Sequence, residues 1–414
     1  MKRAILCLFA LPGFGQTLKL ESIANPSALG SLQAHWGLTA DGSPLLSWVE
    51  GANGSYSLRY AIRQGNAWTE TRTIVAGRHL WRHPAELPEV VTLNDGTLLA
   101  HWVEKPQDSS DAEDIAVSSS HDGSHWSKPV LAHRDRSPVQ HGLASMVASG
   151  PHEASILWLQ ALKGEDGPVS LMRTIVGADG GEVREEELDS DVCSCCPTSV
   201  VKTAKGLLVA YRDHTPKDIR DIAVLRFENG QWSPSKILHP DQWQINACPV
   251  NAASASAMGD QVAIAWYTEA NDNPRVQVIF SSDAGTTFGK SIVVSTSDAQ
   301  GYASAALAGD GAFVSWIEEE GRSATIKVRF VSLAGAAGPT LKVAEGSRQS
   351  LGYPQLLHSG AGTWIAWGSA AGARIQTARL IKQRTRGAGC EKEPCGSRPS
   401  RAVGSQASAA KRPL

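Results

Sequence analysis

Three cysteines stand within four positions of the segment DVCSCCPTS, at Cys193, Cys195 and Cys196, and Cys248 follows in INACPVNAAS. Thiols this dense support three chemistries: disulfide bridging, ligation of a soft or borderline metal, and thiol redox catalysis. Copper and zinc are the ions whose preferences suit such donors, with His83 or His141 as an added imidazole ligand. The spacing of two Cys-x-x-Cys pairs is missing, and no histidine adjoins these cysteines in sequence, so a catalytic thiol has the least support of the three. A bridge and a metal site both stay open.

The compartment bears on that choice. Met1, Lys2 and Arg3 form a short basic start, Ala4 to Phe14 is mostly apolar, and small residues surround a cleavage point near Gly15. Residues 1–15 therefore read as a signal peptide, which makes the mature protein secreted or periplasmic. The apolar run is too short to span a bilayer as a helix, and no later run is longer, so no membrane span is expected. Loss of Cys7 with the leader leaves Cys193, Cys195, Cys196, Cys248, Cys390 and Cys395. An even count in an oxidising compartment favours disulfides as the default. The net charge of −2 over 414 residues gives no field that would attract nucleic acid or anionic lipid. Residues 382–414 are rich in Gly, Ser, Ala and basic residues without apolar periodicity, and read as a disordered tail.

The elements that must position the cysteines come from a repeat. LLSWVE, LLAHWVE, SILWLQ, LLVAYRD, AIAWYT, FVSWIE and WIAWGS align at Trp48, Trp102, Trp158, Tyr211, Trp266, Trp316 and Trp367, spaced 50 to 56 residues apart. Alternating runs such as SLRYAIRQG, DIAVLRFENG and VQVIFSSDAG follow, with Gly and Asp at the turns, which means antiparallel hairpins. A unit of about 50 residues made of four such strands is a propeller blade. The fold is therefore all-β, a β-propeller over residues 17–381, with seven blades preferred and six as the alternative count. The last unit supplies three strands before the tail, and TLKLESIA at residues 17–24 is an orphan strand that completes it and closes the ring.

Innermost strands of a propeller start at one face, around the channel mouth, and the second strands end there. That places His35, Trp36, Arg82, His83, His141, Cys195, Cys196, Cys248, Tyr302 and Tyr353 at the mouth, with Glu50, Glu104, Gln160, Arg212, Asp213 and Glu318 from the second strands. Cys196 and Cys248 are 52 residues apart, so they hold equivalent positions of successive blades and meet in space.

SSDAGTTF at Ser281–Phe288 has the Ser-x-Asp-x-Gly-x-Thr-aromatic form of the Asp box, SSSHDGSHW at Ser118–Trp126 is a variant with His121 or Asp122 in the Asp position, and RFENGQW is a weaker echo. On these motifs the repeat region resembles the sialidase-like superfamily of bacterial neuraminidase repeat propellers. The resemblance implies a carbohydrate-directed protein, binding a glycan or sialoside or hydrolysing it as an exo-α-sialidase, and acting as a monomer. It also implies a site of arginines for the substrate carboxylate, a tyrosine nucleophile activated by Glu, and an Asp acid/base. Arg212 stands in the family's Arg-bearing strand, Arg82 in WRHPAELP is a looser match to the first arginine, and Tyr302 or Tyr353 supplies the phenol. Asp213 and Glu104 are the carboxylates at hand. Cys196, Pro197 and Thr198 occupy the place of the activating Glu, which departs from the pattern and leaves a phenol without its base. The alternative is a non-enzymatic envelope propeller whose cysteine-lined mouth holds a metal or a redox-active disulfide.

Overall fold

Alternating apolar residues and glycine-bearing turns build seven antiparallel sheets in the computed structural model, each a blade of four strands. The structure describes residues 16–384 except 78, 107–111, 163–166, 180–182, 297 and 370–373. Residues 1–15, read above as a signal peptide, and those beyond 384, with Cys390 and Cys395, lie outside the described residues, while residues 382–384, read as the start of the tail, end the strand Gln376–Arg384. Innermost strands are Leu32–Leu38, Glu89–Thr92, His141–Ala148, Ser199–Thr203, Ser254–Met258, Ala299–Ala308 and Gln355–Ser359, which number blades 1 to 7. In blades 1 and 4 the outer strand is split into two short pieces that pair with the same third strand.

Blade 7 closes the ring. Its strands run Gln355–Ser359, Gly362–Trp367 and Gln376–Arg384, and Gln16–Ser22 adds the fourth from the other end of the chain. The seven-blade count and the closure by the N-terminal strand are both as the repeat predicts.

The aligned aromatics explain the repeat. Trp48, Trp102, Trp158, Tyr211, Trp266, Trp316 and Trp367 are all buried, at 9% exposure or less. A buried ring of this size removes roughly 150–250 Å² from water, which makes these residues the largest single contributors to the core. A buried indole N–H must also be satisfied. Trp48 donates to Glu50 at 2.7 Å, Trp102 to Glu104 at 2.6 Å and Trp316 to Glu318 at 2.7 Å. Glu104, read from the sequence as a mouth carboxylate, is thus an indole acceptor two residues along its own strand.

Neighbouring blades are stitched along the channel by inner-strand serines. Ala255 N–H donates to Ser199 Oγ, Ala305 to Ser254, Leu307 to Ser256 and Leu356 to Ser304, each at 3.0 Å. Small residues are needed there because the strands converge on the axis. The Asp boxes are turn staples: the Asp283 carboxylate accepts from Thr287 N–H at 2.9 Å and from the Ser281 and Thr287 hydroxyls at 2.7 Å. In the variant box Asp122, and not His121, fills the role, accepting from the Ser124 and His125 amides at 2.7 and 2.8 Å.

Candidate functional site

Three inner strands bulge just after they start, between Leu32 and His35, Gly142 and Ser145, and Gly301 and Ser304. Gln33, Leu143 and Tyr302 hold φ of 56°, 55° and 53° at these points, a strained region for residues with a Cβ. The bulges free backbone amides at the mouth, and polar side chains of the preceding blade capture them. Leu143 N–H donates to Glu86, and Tyr302 N–H donates to Asn251 Oδ1 at 2.8 Å. The strands enclose a central cavity of ≈ 520 Å³, and Pro197, Thr198 and Tyr353 are among the residues that line it.

Beside that cavity the cysteines converge. Cys193 Sγ lies 3.5 Å from Cys196 Sγ and 3.9 Å from Cys195 Sγ, with all three sulfurs within 4.8 Å of one another. Cys248, exposed on blade 5, interacts with the Cys195 thiol and stands 3.9 Å from Ser194 Oγ. All four are free thiols. Cys193 and Cys196 are buried, so the cluster has a sealed floor and an exposed rim at Cys248.

The surroundings favour negative sulfur. Arg220 Nη1 donates to Cys193 Sγ at 3.2 Å and Asn251 N–H donates to Cys196 Sγ at 3.4 Å. Bonds from Cys195 and Cys196, with Arg212 nearby, hold Cys193 well below the usual thiol range against the effect of burial. A bond from Cys195 brings Cys248 down to about 6. Burial pushes Cys196 up to about 12, and Cys195 also rises, mainly through its bond to Cys193. The shifts within the cluster thus run in opposite directions, down at Cys193 and Cys248 and up at Cys195 and Cys196.

The residues read as a sialidase centre are placed differently. Arg212 is buried at 2% exposure, and its guanidinium donates to the carbonyls of Arg220 at 2.7 Å, Asn251 at 3.0 and 3.2 Å, and Tyr267 at 2.9 Å. It also lies over the Trp243 ring at 4.9 Å. Arg82 stacks on Tyr56 at 4.5 Å and donates to its hydroxyl at 2.8 Å. The rings of Tyr302 and Tyr353 pack at 4.4 Å, and Tyr353 is buried with its hydroxyl donating to the Val250 carbonyl. Burial, and then Tyr302 and the Cys196 and Cys195 sulfurs, raise the Tyr353 phenol well above the usual range. Asp213 is raised to about 6, first by burial and then by nearby Asp189 and Asp191. His83 packs on Trp81 at 6.0 Å and accepts from Ala85 N–H at 3.3 Å. His141 lies against His133 and Asp114 in a cluster separate from the sulfurs.

Sequence reading missed Arg220, Asn251, Glu86 and Glu113. The first two lie in loops whose composition gives no periodic signal. Glu86 and Glu113 flank Gly142 so closely that a Cβ there would meet Glu86 Oε1 at 2.5 Å and Glu113 Oε2 at 3.0 Å. Burial, and then repulsion from Glu113, lifts Glu86 from 4.5 to about 8. The folded protein therefore keeps a proton that the unfolded chain releases, and stability falls as pH rises from about 4.5 to 8. Each tenfold difference in proton affinity between the two states corresponds to about 1.4 kcal/mol. Glu86→Gln, which still offers Leu143 an acceptor, is expected to flatten that fall. Melting curves at pH 5 and pH 8 that change equally in variant and parent would contradict it.

The geometry defines a seven-bladed propeller with a sulfur-lined mouth. The model of the BNR repeat-like domain matches residues 56–364, and the chain belongs to that family, whose repeats are of the sialidase type. Solved structures with this architecture include a PL25 polysaccharide lyase, an ulvan lyase, at 10% identity and TM-score 0.52, covering 86% of this chain and 93% of that one. A puromycin hydrolase follows at 12% identity and TM-score 0.54, covering 86% of this chain and 52% of that one. The NanB sialidase of Streptococcus pneumoniae gives 10% identity and TM-score 0.44, covering 90% and 95%. No curated protein matches the sequence. Likenesses at these identities speak for the fold alone.

Proposed function

We propose that the protein is an exported propeller that holds one soft or borderline metal ion, copper or zinc, through Cys193, Cys195, Cys196 and Cys248. The reading rests on sulfur spacing. A tetrahedral shell with metal–sulfur bonds near 2.3 Å has edges of about 3.8 Å, and Cys193 Sγ lies 3.5 and 3.9 Å from the sulfurs of Cys196 and Cys195, while Cys248 stands outside the trio whose sulfurs are all within 4.8 Å of one another. Four thiolates around a divalent ion leave a net charge of about −2, and Arg220 and Arg212 are the compensating cations beside the cluster. Cys248 at the exposed rim gives the ion a way in, while buried Cys193 and Cys196 form the floor.

The carbohydrate-directed alternative has its fold and little of its site. A substrate carboxylate needs free guanidinium donors, whereas those of Arg212 are spent on main-chain carbonyls. Export is part of the proposal through the basic and apolar segment at the N-terminus. In an oxidising compartment a bound metal also protects thiols that would otherwise bridge.

Elemental analysis with thiol counting, on protein produced in the periplasm, tests the proposal. One copper or zinc held by sulfur is expected per chain, with that ion lost in Cys196→Ser and Cys248 resistant to alkylation until a chelator removes it. A metal-free native protein whose Cys248 alkylates at once, or is found in a disulfide, would refute it.

A further inference from the structure

A second cluster of ligand-type residues lies where blades 2 and 3 meet. His133 and His141 stack face to face at 3.9 Å with planes 6° apart, both fully buried, on the Trp158 ring. His133 Nδ1 lies 2.7 Å from the Asp135 carbonyl and His141 Nδ1 lies 2.9 Å from the Glu113 carbonyl. A carbonyl only accepts, so each Nδ1 carries a proton; the approach of Arg136 Nη1 to His133 Nδ1, at 3.4 Å, is the longer contact. Nε2 is then the ligand position left on each ring, and both Nε2 atoms are buried without a hydrogen bond.

Those nitrogens face carboxylates. Asp114 Oδ1 is 3.3 Å from His133 Nε2 and Asp135 Oδ2 is 3.5 Å from His141 Nε2. Asp114 Oδ1 also lies 3.9 Å from His141 Nδ1. Lone pair against carboxylate is repulsive, and a second proton on each ring would stack two buried cations at 3.9 Å. A cation among them relieves both conflicts. One ligand atom each from Asp114, His133 and His141 already falls within 4.8 Å of the others.

We infer that Asp114, His133 and His141, with Asp135 at the edge, form a second metal site, one that takes a borderline divalent cation such as Zn(II), Cu(II) or Mn(II). Mixed imidazole and carboxylate donors select this class and not the soft ions suited to thiolates. The Nδ1–H bonds to carbonyls are the outer contacts that fix a ligating histidine in its tautomer. Asp114 and Asp135 are partly exposed, at 24% and 32%, so the ion enters past the carboxylates. Gln160 donates to Asp135 at 3.0 Å and the Ser137 hydroxyl at 2.7 Å, which hold that carboxylate in place.

The site is independent of the sulfurs, and so is its test. A chain with all four described cysteines changed to serine is titrated with Zn(II), and its Cu(II) form is studied by electron paramagnetic resonance. About one equivalent is expected, with coupling to two nitrogens, and His133→Asn or His141→Asn should weaken binding by about 100-fold or more. If the four-serine chain does not fold, zinc stoichiometry on the parent replaces it: two ions per chain, falling to one in the His133→Asn, His141→Asn double variant. Millimolar or weaker binding, a copper spectrum without nitrogen coupling, or stoichiometry unchanged by the double variant would overturn the site.

Discussion

A chain lacking Gln16–Ser22 is expected to lose its single cooperative melt. The deleted strand is the outermost of blade 7, and without it Gln376–Arg384 becomes an unpaired edge. Leu18 and Leu20 also leave the cluster they share with Phe330, Ile365 and Leu380. The lost apolar burial and hydrogen bonds together cost on the order of 5 kcal/mol, a large part of the stability of an ordinary domain. Chemical denaturation followed by tryptophan fluorescence reads the effect. A shortened chain with the parent's midpoint and slope would mean that the ring does not depend on this closure.

Arg212→Ala is the second large effect, and it should appear in stability. Removing the guanidinium strips donors from the carbonyls of Arg220, Asn251 and Tyr267, the last two buried and the first partly so, drawn from blades 4 and 5. Buried acceptors left unpaired cost about 1–3 kcal/mol each, so a loss on the order of 4 kcal/mol is expected. Arg212→Lys recovers little, because an ammonium cannot reproduce the planar fork of donors. Hydrolysis of an aryl sialoside is expected to be negligible in parent and variant alike. An Arg212→Ala chain that melts like its parent but has lost sialoside turnover would reverse this assignment and return the residue to substrate binding.

The fold was legible because its signals are local and repeated. Seven aromatics 50 to 56 residues apart mark seven second strands, and every one is buried as the pattern requires. Cys196 and Cys248 could be placed near each other because equivalent positions of consecutive blades are neighbours in any propeller. What position in a blade does not reveal is which donors a side chain has already used. Arg212 sits at the expected strand end, yet its partners are carbonyls from residues 8 to 55 positions away. Glu104 looked like a mouth carboxylate, and its oxygen is taken by the indole two residues before it. His133 lies in a connection with no strand periodicity, so its stacking on His141 across a blade boundary left no trace in the sequence.

X-ray absorption at the edge of the metal that copurifies with the periplasmic protein tests the sulfur site most directly. The expected result is a first shell that contains sulfur near 2.3 Å, four scatterers for each ion held by the cysteines, with the sulfur contribution disappearing in a chain lacking Cys193, Cys195, Cys196 and Cys248. A shell of only oxygen and nitrogen, or an undiminished sulfur shell in that variant, would contradict it.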